Sequence, residues 1–143
     1  MTLTDSWERI DGINNASDDN DNIVAKLNGT TVYVAYCAFG DVKIIELANV
    51  TDACIFESTN MTEDEIYAAV EDNWELAIPV IIEGKHILIT VGEPDDTITI
   101  IGGVEVGVKP SVESSSIYDC DELEMLEDQY PEYEGVRDAL QIS

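Results

Sequence analysis

The chain of 143 residues carries 31 Asp and Glu against six Lys and Arg, a formal charge of −25, yet 45% of it is apolar. The length suits one domain, and that apolar fraction can build a core, which excludes a wholly disordered acidic tail. Six scattered cations cannot make the basic footprint that DNA, RNA or an anionic membrane surface requires, which excludes direct nucleic-acid or membrane binding.

The charge is uneven. Residues 1–22 hold six acids and Arg9 and read as an acidic N-terminal arm. Residues 23–110 read as a β-rich core domain with a helix near 62–74. Residues 111–143 read as a linker followed by an acidic helical segment, with ten acids against Arg137 from residue 113 onward.

Within the core, residues 23–27 and 30–39 flank Asn28-Gly29, a strong two-residue hairpin signal because both turn positions then take positive φ. Gly40-Asp41 turns the chain into 42–47. Period-two alternation places Ile23, Ala25, Leu27, Val32, Val34, Tyr36, Ile45 and Leu47 on one face. Val24, Tyr33, Ala35, Cys37, Phe39, Val42 and Ile44 fall on the other. Both faces are largely apolar, so such a sheet must be covered twice. A short run at 53–56 precedes a helix opened by a Thr62/Glu65 capping box, with Met61, Ile66, Ala69, Val70 and Trp74 as its apolar stripe. Further hairpins are expected around Gly84-Lys85 and Gly102-Gly103, with strands at 80–83, 86–91, 97–101 and 104–108 and a loop at 92–96. Lys109 to Ser116, with its proline and serines, reads as the linker. Two short helices follow at 121–130 and 131–141, the second begun by Pro131, with Leu123, Leu126, Tyr133, Val136 and Leu140 as narrow apolar stripes for docking. The expected fold is α+β and β-rich: an antiparallel hairpin-built sandwich or small barrel of seven to eight strands, with one flanking helix and short C-terminal helices.

Catalytic and metal chemistry lack a motif. Cys37, Cys54 and Cys120 are odd in number, without CxxC spacing, and read as buried free thiols. His86 is the single histidine and has no partner in sequence for a triad or metal site. Carboxylate pairs are too abundant to mark an acid and base. Residues 17–22 resemble a calcium loop in composition only, lacking its glycine and closing glutamate, so weak nonspecific cation binding is the most they offer, there and at 92–96. The glycines form no phosphate cradle. Four N-x-[ST] sequons, at Asn15, Asn28, Asn49 and Asn60, exceed chance expectation. No cofactor is expected, and the chain reads as not an enzyme.

Two explanations of the charge compete. At molar salt the Debye length falls to about 3 Å, dense carboxylates barely repel, and a highly charged surface resists salting out. This implies a structural or assembly subunit adapted to high salt, concretely a head, neck or tail component of a virus infecting a halophile, forming a homo-oligomer or larger assembly with protein partners. The seventeen isoleucines and the excess of Lys over Arg count against a GC-rich source. The alternative is a nucleic-acid mimic that inhibits a DNA-binding defence or repair protein. Its partner-binding row would be Glu122, Glu124, Glu127, Asp128, Glu132, Glu134 and Asp138, joined by Glu63, Asp64, Glu71 and Asp72. No apolar run approaches the roughly 18 residues of a membrane span, and residues 1–10 lack a signal-peptide pattern, so a soluble protein of the cytoplasm or a virion is expected.

Overall fold

The computed structural model describes residues 2–10, 13–14, 23–38, 40–50, 53–55, 76–82, 85–91, 97–100 and 111–141. In chain order these form β1 (Glu8–Ile10), β2 (Ile13–Asn14), β3 (Ile23–Asn28), β4 (Thr31–Ala38), β5 (Asp41–Ala48), β6 (Ala53–Ile55), β7 (Leu76–Ile82), β8 (Lys85–Val91), β9 (Thr97–Ile100) and β10 (Ser111–Tyr118). After them come helix α1 (Cys120–Gln129), a 3-10 turn (Pro131–Tyr133) and helix α2 (Val136–Leu140). The helix expected at 62–74, the calcium-like loop, the 92–96 loop and the strand at 104–108 lie outside the described residues, as do Glu63, Asp64, Glu71 and Asp72.

Among the described residues the strand pairings are antiparallel and fall into two sheets. One has the order β1-β3-β4-β5-β10; the other has β2-β7-β8-β9, with β6 also pairing β7. Among the described residues neither sheet closes on itself, so the small-barrel alternative is not the arrangement they form.

The β3–β4 hairpin corrects the turn. Asn28 pairs with Thr31, so the two loop residues are Gly29 and Thr30. Gly29 has φ of 65°, whereas neither Asn28 nor Thr30 has positive φ. That is the pattern of a II′ turn, which needs glycine at its first central position only. The resulting register differs by two residues from one closed by Asn28-Gly29, and a two-residue shift leaves every side chain on its expected face.

Those faces are both buried. Ile23, Ala25, Val34, Tyr36, Ile45 and Leu47 join Ile78, Val80, Ile87 and Ile89 of the other sheet in one cluster. On the opposite face Val24, Tyr33, Ala35, Val42 and Ile44 pack with Leu123, Tyr133, Val136 and Leu140. The first sheet is thus covered twice, by the second sheet and by the C-terminal helices, as its apolar pattern demands.

Three segments depart from expectation. Leu3 and Ile10 are buried, and Glu8–Ile10 and Ile13–Asn14 are strands, so the first 22 residues contribute to both sheets instead of forming only an arm. Ser111–Tyr118 is a full edge strand bonded to β5, not a linker; its mostly exposed side chains leave no alternation to announce a strand. The second helix is split, because Gly135 takes φ of 88° between the 3-10 turn and α2. Strand β7 also begins before Pro79, which falls between the stretches that β2 and β6 pair, so it interrupts neither ladder. Cys120 is exposed and Cys37 half-buried, so the thiols are not uniformly core residues.

Candidate functional site

The acidic C-terminal segment is anchored before it can present anything. Asp119 accepts from the Glu122 backbone N–H at 2.8 Å, and Glu122 accepts from the Asp119 N–H at 3.3 Å, a reciprocal box that starts α1. Leu123 is fully buried under the helix. Glu127 accepts from Arg137 Nε at 2.6 Å and from the Arg137 backbone N–H at 2.9 Å, clasping α1 to α2. Tyr133 donates its hydroxyl to Glu46 on β5. Burial, then that hydrogen bond, raises the Tyr133 phenol well above the ordinary tyrosine range.

The row of seven acids therefore divides by role. Glu122 and Glu127 hold the segment together. Glu124 and Asp128 are exposed at helical spacing along one side of α1, where Asp121, outside that row, joins them. Glu132 is half-buried, and Glu134 and Asp138 are exposed beside a cleft.

That cleft opens where the N-terminal segment meets the C-terminal one. Its volume is about 580 Å³, inside the range of small-ligand sites. Asp5, Ser6 and Trp7 line one side, Pro131, Glu134 and Asp138 the other, and Lys26 lies between them. Lys26 is only 5% exposed. It is the cross-strand partner of Tyr33, on the helix-covered face. Its ammonium sits 5.3 Å from the Trp7 ring centre and 5.4 Å from that of Tyr33, in cation–π range of both. Among the described residues no carboxylate forms an ion pair with it. Burial lowers its pKa from the lysine value, and the charges of Glu132, Asp5 and Glu134 oppose that shift only in part.

An aromatic chain supports the cleft. Trp7 meets Tyr33 edge-on at 6.3 Å, Tyr33 meets Tyr133 at 5.9 Å, and Tyr133 meets Tyr130 at 6.2 Å. The Trp7 indole nitrogen is buried without a hydrogen-bond partner among the described residues.

Sequence reasoning singled out Glu134 and Asp138 but missed Asp5, Trp7 and Lys26. One signal was present: Lys26 is a cation on the same apolar face as Val24, where a charge needs a reason. No family model, curated protein or solved structure matches the chain.

Proposed function

We propose that the protein is a non-enzymatic structural or assembly subunit adapted to high salt, most concretely a head, neck or tail component of a virus infecting a halophile. The observation that carries this reading is where the charges lie. Exposed carboxylates occur on the N-terminal segment at Asp5, the β4–β5 turn at Asp41, the edge strand at Glu113 and the helices at Asp121, Glu124 and Asp138. No acidic side chain is buried among the described residues, whereas Lys26 is buried and Lys43 half-buried. Carboxylates dispersed in this way hydrate several faces of the described structure, which suits a salt-saturated solvent better than one basic partner.

The two sheets are read here as a sandwich sharing one core, and the virion setting is an analogy at the level of architecture. Membership of an assembly is consistent with Ile117 and Met125, each 59% exposed on β10 and α1. Light scattering in concentrated salt is expected to return a mass above that of one chain. A strict monomer at high protein concentration would remove the assembly reading.

The mimic reading keeps one observation of its own, the stripe of Asp121, Glu124 and Asp128 along α1. Under it, the protein would displace DNA from a basic protein, and E124Q/D128N would abolish that competition. Under the assembly reading these substitutions leave mass and folding unchanged.

A further inference from the structure

We infer that the cleft between the Asp5–Trp7 and Pro131–Asp138 segments binds an extended basic segment of a partner protein. A lysine or arginine side chain would lie among Asp5, Glu134 and Asp138, with a main-chain carbonyl accepting from Lys26. The inference deepens the assembly reading and rests on it in taking the partner to be a protein.

Two independent features of the lining make the case. First, Lys26 is more than nine-tenths buried, lines the cleft, and has no hydrogen bond or ion pair among the described residues. Its stem is buried against the Trp7 and Tyr33 rings while the ammonium, with three donors, opens into the cleft, where a ligand carbonyl can accept from it. Second, the lining sets three carboxylates, Asp5, Glu134 and Asp138, against that single cation, so it has surplus negative charge as well as an accessible donor.

A ligand must answer both. A metal ion or small inorganic cation would offset the carboxylates but place a second positive charge beside Lys26 and offer it no acceptor. Phosphate or nucleic acid would serve Lys26 but meet three carboxylates on a chain of charge −25. A basic peptide carries both halves in one molecule: the peptide carbonyl for the ammonium and a cationic side chain for the carboxylates. Trp7, half-buried along the cleft wall, adds an aromatic surface suited to a guanidinium or alkyl-ammonium stem. A neutral oligosaccharide offers donors and acceptors too, but cannot neutralise the surplus charge.

The test uses the full chain in the salt that keeps it folded. Acetyl-Gly-Arg-Gly-amide, its citrulline counterpart and maltotriose are titrated separately, while the Trp7 indole resonance is followed by NMR. The arginine peptide is expected to shift that resonance saturably. The citrulline peptide, and the arginine peptide against E134Q/D138N or K26M, are each expected to bind at least about tenfold more weakly. Equal binding of the arginine and citrulline peptides, no saturable shift, or a shift with maltotriose alone would overturn the inference. None of these failures alters the salt requirement or the assembly mass, so the cleft and the broader reading fail separately.

Discussion

The Tyr133 hydroxyl donates a hydrogen bond to the Glu46 carboxylate on β5, joining two residues 87 positions apart and tying the C-terminal layer to the first sheet. Glu46 also sits opposite Tyr33 and Ser114 in the β4 and β10 pairings, so the bond reaches the middle of a three-strand patch. Tyr133→Phe keeps the ring packed against Tyr33 and removes only the donor. Loss of a partly buried, charge-assisted bond is expected to cost about 1–3 kcal/mol, read from denaturant unfolding. An unchanged midpoint would show that water replaces the phenol without loss.

The same pair sets a pH dependence. The Tyr133 phenol is raised above its ordinary 10.0 by burial and by Glu46, and Tyr33 is raised by burial and then by Glu46 and Glu132. Below pH 10 both states keep these protons and the full stability is present. Above it the unfolded chain releases them while the folded chain retains them, so stability falls as pH rises. Lys26 acts oppositely, because its lowered value lets the folded state deprotonate before the unfolded state does at 10.5. Two raised phenols outweigh one lowered ammonium, so unfolding by alkali is expected to begin near pH 10 and to be shallower in Tyr133→Phe.

Leu123 is the fully buried apolar anchor of α1. Leu123→Ala is expected to cost about 2–5 kcal/mol and to free the C-terminal segment first, seen as loss of amide protection there before the sheets. Simultaneous loss in both places would mean that the helices and sheets unfold as one unit.

The first hairpin distinguishes two turn geometries. At Gly29 an added Cβ meets nothing within 4 Å, so the cost of substitution is conformational and comes from φ of 65°. Gly29→Ala is expected to destabilise by about 1–2 kcal/mol, and Asn28→Ala to change stability by less than about 0.5 kcal/mol, since Asn28 is an exposed strand-end residue. Equal losses at both positions would restore the Asn28-Gly29 turn.

These contrasts show what the sequence could carry. The faces of β3, β4 and β5 were readable because alternation has period two, and a turn displaced by two residues preserves it. The stripe of Leu123, Leu126, Tyr133, Val136 and Leu140 was equally readable, since its docking face is apolar at helical spacing. Strand β10 was not, because an edge strand is held by its backbone and Ser111, Glu113, Ser114 and Ser115 have no buried side to reveal. The cleft was half-readable. Lys26 stood out on its apolar face, but its meeting with Asp5, Glu134 and Asp138 depends on tertiary closure between the chain ends.

Lys26 also separates function from stability. Its buried ammonium is disfavoured by desolvation, and replacing such a charge with an apolar side chain of similar length is commonly neutral or stabilising. Lys26→Met is therefore expected to be no less stable than the parent in chemical denaturation while losing peptide binding in the cleft. A large loss of stability would make Lys26 a structural cation held by Trp7 and Tyr33.

A charge of −25, with exposed carboxylates on several described elements, is proposed to adapt the chain to its solvent. A salt titration of folding, followed by circular dichroism from concentrated salt down to dilute buffer, tests it most directly. Solvent adaptation entails cooperative loss of structure below about 1 M salt, where screening no longer hides carboxylate repulsion. Full stability in dilute buffer, together with displacement of DNA from a basic protein, would contradict it.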